Sequence, residues 1–217
     1  VAVAILGSQA LHMTETVDLS QSIYLTSNFG WAGALIGGLL FGFGMTLTGG
    51  CGNKTLVRLG AGNLKSLVVA IFLGIFAYMT LRGLIGLARM EIEGLANIDL
   101  TAAGIDTQGI PDLIAASGLS QEIARFFAIA VVAGGLLWFC FKSAEFRRSK
   151  LDVAAGLVIG TLVPVAWFIT GVLGRDDFEP VPLSSLTFVA PVGESLQYLM
   201  TFTGSTINFG IAVVGGV

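Results

Sequence analysis

The chain has 217 residues, 54% of them hydrophobic and only 12% charged, with a mean hydropathy of +0.87. Soluble domains carry about 25% charged residues, so this composition excludes an ordinary soluble domain and indicates an integral membrane protein facing lipid. A net charge of −3 gives nucleic acid no footing; a single histidine, His12, and two distant cysteines, Cys51 and Cys140, exclude a His-based metal site, a metal cluster and a disulfide framework within the chain.

A bilayer crossing needs about 20 apolar residues. Val1 to Leu11 reads as a truncated span, with neither an initiating Met nor a basic leader before it, and predicts that the chain is the central part of a longer protein. Trp31 to Thr48 is apolar and glycine-rich, and breaks at Gly49-Gly50. Whether it spans or re-enters is left open by the sequence. Lys65 to Met90 reads as a full span, Ile123 to Phe141 as another, Leu151 to Leu173 as a third, and Tyr198 to Val217 begins one more.

Charge orients these spans. Lys142, Arg147, Arg148 and Lys150 lie between two of them and predict a cytoplasmic loop. Glu91 to Glu122 carries Glu91, Glu93, Asp99, Asp106 and Asp112 without Lys or Arg, and Arg175 to Glu194 holds Asp176, Asp177 and Glu179, which places both on the opposite face. His12 is expected in an outer loop as a solvated bystander. Arg82 and Arg89 are expected to snorkel at a helix end, and Cys140 to pack as an ordinary apolar residue.

A segment recurs. Asn28-Phe29-Gly30 and the apolar run to Leu39 resemble Asn208-Phe209-Gly210 and the run to Val217. Repeats with broken helices in matching positions are the pattern of transporters that bind substrate between their halves. The expected fold is an all-α polytopic membrane protein, a pseudo-symmetric repeat of transmembrane helices with short re-entrant half-helices. Residues 1–90 are expected to form most of the first repeat, 91–150 a linker and connecting span, and 151–217 the start of the second repeat, all within one transmembrane domain.

The chemistry gathers around Cys51. Gly49, Gly50 and Gly52 flank it and permit a turn that brings a thiol and backbone donors to one point. Asn53 is a good N-cap for a short helix from Lys54 to Leu59, ended by Gly60. The start of such a helix is a ready anion site. Lys54 and Arg58, one turn apart, favour the thiolate form of Cys51 and offset the cost of an anion within the membrane. A thiol beside anion donors suits a substrate that is both anionic and sulfur-bearing, which it meets either by hydrogen bonding or by exchange through a persulfide-like species. Thr46 and Thr48 line a cavity or bond to their own helix. Asn63 caps the following helix or reaches the substrate.

Residues 49–67, Gly-Gly-Cys-Gly-Asn-Lys-Thr-Leu-Val-Arg-Leu-Gly-Ala-Gly-Asn-Leu-Lys-Ser-Leu, resemble the signature of the YeeE/YedE family of bacterial membrane proteins, the sulphur-transport family that includes a thiosulfate importer. The Asn28-Phe29-Gly30 and Asn208-Phe209-Gly210 segments resemble that family's two halves. The resemblance implies a multi-pass protein of the bacterial inner membrane that takes up thiosulfate or a similar small sulfur-containing anion. It implies short helices dipping in from both faces to form an hourglass, with Cys51 as the central cysteine of a relay. Many members carry small residues after Cys-Gly, where this chain has Asn53-Lys54, a difference that bears on substrate choice.

The expected function is therefore transport rather than catalysis, with Gly50, Cys51, Gly52, Asn53, Lys54 and Arg58 as the substrate-binding and relay residues and no catalytic or metal-binding set. No cofactor is expected. No Gly-x-x-x-x-Gly-Lys-Ser/Thr loop is present, so the energy source is a gradient or a partner. Expected partners are the anion, the lipid bilayer and, by family resemblance, a cytoplasmic sulfurtransferase. The alternatives are a membrane sulfurtransferase that forms a persulfide on Cys51, and a non-catalytic subunit of a membrane complex in which the glycine break serves only helix packing.

Overall fold

A computed structural model describes residues 1–174, 182–201, 203 and 206–217. Asp176, Asp177 and Glu179, expected on the outer face, lie outside the described residues. The structure is mostly helical, and among the described residues four segments are long and apolar enough to cross a membrane: Trp31–Gly60, Leu64–Arg82, Gln121–Lys142 and Lys150–Leu173. It is an all-α, multi-pass membrane protein. It divides into two compact units, Val1–Phe29 with Asp99–Leu186, and Gly30–Ile98 with Thr187–Val217. Two-residue strands, Asn28–Phe29 and Ile98–Asp99, stand at the joins.

In the first unit, α1 (Ala2–Met13) packs on α7 (Gln121–Lys142) and on α9 (Lys150–Phe168). A short α6 (Ile110–Ala115) lies on α7, and α8 (Ala144–Arg148) occupies the basic segment before α9. Small residues allow the close approach of α1 and α9. A Cβ at Gly7 would lie 2.7 Å from the Pro164 ring, and one at Gly160 would lie 2.7 Å from Val3. The buried residues of α7 are likewise small: Ala124, Ala128 and Ala133. Long side chains such as Phe139, Leu151 and Ile159 point outward, the arrangement expected when the solvent is lipid. A larger cluster of Val17, Leu19 and Trp167 sits beneath the segment after α1, where Tyr24 meets Trp167 edge-on at 5.8 Å.

The expected third span does not stay α-helical to its end. Pro164 lies inside α9, and Ile169–Leu173 forms a π-helical turn. The buried Thr170 hydroxyl donates to the Ser184 carbonyl there, at 2.7 Å. Proline removes one helical donor, and π turns commonly follow such interruptions.

The second unit is built on α4 (Leu64–Arg82). Upon it pack α3 (Gly52–Gly60), α5 (Leu84–Ala96) and α10 (Val189–Met200), while α2 (Trp31–Thr48) lies on α5 and α11 (Phe209–Gly215) on α10. The crossing of α4 and α10 is tight: a Cβ at Gly193 would lie 2.9 Å from the Gly74 carbonyl oxygen.

Several expectations are corrected. Lys65 to Met90 is not one span. Gly83 takes extended angles and separates α4 from α5, and a side chain there would run into the Met79 backbone at 2.8 Å. Arg89 does not snorkel. It pairs with Glu93 at 2.8 Å and donates to the Thr80 carbonyl at 3.3 Å, tying α5 back to the end of α4. Tyr198 to Val217 is not a continuous helix either. The chain leaves α10 at Met200 and restarts at Phe209, where the Asn208 side chain accepts the Ile211 N–H. Glu194, expected to end an outer loop, lies within α10 and accepts from Asn208 Nδ2 at 2.8 Å. His12 sits on α1, half-buried, and its Nδ1 accepts the Leu19 N–H at 3.2 Å.

Candidate functional site

The Cys51 loop is set by how α2 ends and α3 begins. Thr48 is the last residue of α2, and Gly49 follows in the left-handed region (φ 67, ψ 24). That conformation suits glycine and turns the chain out of the helix. Two side chains close the turn. The Thr48 hydroxyl lies 2.9 Å from both the Gly44 and the Gly50 carbonyls, and Lys54 Nζ donates to the Gly49 carbonyl at 3.1 Å. Thr46 likewise donates to the Phe43 carbonyl, so both threonines bond to nearby backbone.

Cys51 is extended (φ −84, ψ 174) and is itself the N-cap of α3; its carbonyl accepts the Thr55 N–H at 3.1 Å. This corrects the expectation that Asn53 caps a helix beginning at Lys54. Asn53 already lies within the first turn. Tertiary packing outweighs the capping preference of asparagine here: a Cβ at Gly52 would lie 3.2 Å from Leu73 of α4 and 3.6 Å from Val189 of α10, so the helix starts where the residue is smallest. The helix ends at Gly60, one residue later than expected. Asn63 does cap α4, accepting the Lys65 N–H at 3.0 Å.

α3 is strongly two-sided. Leu56 is buried against the unit, while Asn53, Lys54, Val57 and Arg58 are exposed. Gly50, Cys51 and Gly52 are half-buried. Asn53 and Lys54 stand in the first turn of α3, directly after the Cys51–Gly52 start of the helix. Such first-turn amides have no helical acceptor, which leaves them open to an anion. The turn therefore brings the thiol and the amides together. The Lys54 ammonium is engaged at the end of α2, whereas the Arg58 side chain, a turn further along, makes no hydrogen bond or ion pair among the described residues. Cys140 stands apart, exposed near the end of α7.

The packing of Leu73 and Val189 around Gly52 escaped the sequence reading, as did the Gly50 half of the Thr48 bridge; the bond of Thr48 to its own helix at Gly44 is one of the two roles expected of it. Thr48, directly before a Gly-Gly pair, carried a readable signal for the bridge, since a hydroxyl there reaches the freed carbonyls of a helix end. The two packing neighbours are distant in sequence and left no local trace. Among the described residues no group of His, Cys, Asp and Glu is arranged to hold a metal ion.

The sulphur-transport family model matches residues 1–217. The chain belongs to that family. It is 24% identical over 222 residues to "Thiosulfate transporter TsuA" of Escherichia coli (strain K12), covering 89% of this chain and 54% of the relative. It is 29% identical over 170 residues to "Thiosulfate transporter TsuA" of Spirochaeta thermophila, covering 76% of this chain and 50% of the relative. The chain thus spans about half the length of the curated relatives it matches. Both relatives carry the names of transporters rather than enzymes. No solved structure matches the chain.

Proposed function

We propose that this chain forms part of an inner-membrane importer of thiosulfate or a closely related small sulfur-containing anion, with Cys51 at the constriction. The observation that carries the proposal is the position of Cys51. It caps a two-sided helix two residues after the left-handed Gly49, next to the amides of the helix's first turn. The family, and relatives named as thiosulfate transporters, support the substrate class.

In this reading Gly50 and Gly52 keep the approach to the thiol narrow and free of side chains. The thiol donates to the terminal sulfur of the anion, and the amides of Asn53 and Lys54 receive its oxygens. Arg58 supplies the free positive charge, and Lys54 holds the turn in shape. The Asn28-Phe29-Gly30 and Asn208-Phe209-Gly210 segments each lead into a helix, α2 and α11, which supports reading them as matching positions of two repeats. On this division residues 1–90 belong to the first repeat and 151–217 open the second. The Lys142 to Lys150 segment faces the cytoplasm, where a sulfurtransferase takes up the imported sulfur.

The test is growth on thiosulfate as sole sulfur source, in a bacterium lacking its own uptake, with the intact protein expressed as wild type or Cys51→Ala. Restoration by wild type alone, at equal membrane levels, supports the importer. Restoration by neither counts against thiosulfate.

A further inference from the structure

A cavity of about 490 Å³ lies in the first unit and is unused by the transport reading. α7 contributes Arg125, Ile129 and Val132 to its wall, and α1 contributes Ile5, Gln9 and His12. The two helices pack on each other. On α7 the charge is near the helix start and the apolar residues lie one and two turns further along the helix. On α1 the apolar Ile5 precedes Gln9 and His12 by one and two turns. The segments around Leu19 and Asp106, which also line the cavity, are tied together by Gln108 Nε2 donating to the Tyr24 carbonyl at 3.1 Å. The cavity is therefore lined by both polar and apolar side chains.

The polar groups of the cavity are incompletely used. Among the described residues the Arg125 and Asp106 side chains make no hydrogen bond or ion pair, and Gln9 Oε1 is buried without a partner. Asp112 makes no ion pair with Arg125; its carboxylate accepts from Thr107 Oγ1 and from Gln121 Nε2. His12 Nδ1 accepts from the Leu19 N–H at 3.2 Å and lies 3.7 Å from Asp18 Oδ1. An unpaired guanidinium calls for an anion. A shielded amide oxygen calls for a donor, and the exposed Asp106 carboxylate lining the same cavity favours a cationic one.

We propose that this cavity holds one phospholipid whose headgroup bears a primary amine, with its phosphate on Arg125, its ammonium at Asp106 and Gln9 Oε1, and its first acyl carbons over Ile129 and Val132. A small free oxyanion would satisfy Arg125 but would leave both the apolar lining at Ile129 and Val132 and the Gln9 oxygen without a partner. A choline headgroup has no N–H for Gln9. Pockets between membrane helices that carry a cation take lipid headgroups, and this one, lined by Arg125 together with Asp106, adds a requirement for a donor.

The test uses the intact protein, delipidated in detergent and titrated separately with phosphatidylethanolamine, phosphatidylcholine and inorganic phosphate, with adducts read by native mass spectrometry. Phosphatidylethanolamine is expected to bind at about tenfold lower concentration than phosphatidylcholine. Arg125→Gln should abolish its binding, and Gln9→Leu should erase its advantage over phosphatidylcholine. Equal binding of the two lipids to the wild type overturns the proposal without recourse to any variant. Displacement of bound lipid by inorganic phosphate at equal concentration overturns it in favour of a free-anion site. Unchanged lipid binding by Arg125→Gln also overturns it.

Discussion

Lys54 Nζ donates to the carbonyl oxygen of Gly49 at 3.1 Å, so the first turn of α3 caps the end of α2 across the cysteine between them. The same side chain would be met at 2.7 Å by a Cβ on Gly50. The residues around Cys51 thus constrain each other, and the lysine that sequence alone assigns to the anion is engaged in holding the turn.

Lys54→Ala should loosen the turn. An exposed charge-assisted hydrogen bond of this kind contributes about 0.5–1 kcal/mol. Faster hydrogen exchange across residues 49–52, with modestly slower uptake, is the expected outcome. Loss of uptake with unchanged exchange would instead place the ammonium on the substrate.

The crossing of α4 and α10 should tolerate no side chain on Gly193. Gly193→Val forces a branched group against the Gly74 carbonyl, and overpacking of this kind costs about 1–3 kcal/mol. Gly156 of α9 offers the contrast, since a Cβ there would meet nothing within 4 Å. Gly156→Ala should be neutral or should stabilise by up to about 1 kcal/mol, the difference in helix propensity. Thermal unfolding in detergent compares the two, and a Gly193→Val melting temperature equal to wild type would contradict the packing.

Acid should release two turns outside the spans. The Ser20 hydroxyl beside Asp18 holds that carboxyl below its ordinary value, and the Thr101 hydroxyl does the same for Asp99. Each carboxylate also accepts the amide of the same partner residue. A lowered folded-state pKa means that the stabilisation is present above the ordinary carboxylate range, near pH 4, and is lost as pH falls through the folded value. Amide exchange at Ser20 and Thr101 should therefore accelerate below about pH 4. Asp18→Asn should remove that dependence at Ser20 while leaving Thr101 responsive.

Much of the architecture is legible in the sequence because lipid imposes a simple rule on it. Trp31–Thr48 is bounded where the apolar run meets Gly30 and Gly49, and the spans at Gln121–Lys142 and Lys150–Leu173 begin and end within two residues of their apolar limits. The misses have local causes. The elbow at Gly83 lies inside an unbroken apolar run, so hydropathy passes through it. α10 contains Pro191, Gly193, Glu194 and Gln197, which read as a loop until α4 supplies a surface for it. His12 looks solvated because its acceptor role depends on the Leu19 amide, seven residues on. At the site itself, glycine spacing disclosed the turn and the cysteine. The N-cap was misplaced because Leu73 and Val189, which act on Gly52, are remote in sequence.

The most direct measurement is uptake of radiolabelled thiosulfate into proteoliposomes containing the intact protein, compared among wild type, Cys51→Ala and Cys140→Ala. A central role for Cys51 predicts background uptake for Cys51→Ala and wild-type uptake for Cys140→Ala, whose cysteine stands exposed on α7. Wild-type uptake by Cys51→Ala would contradict it.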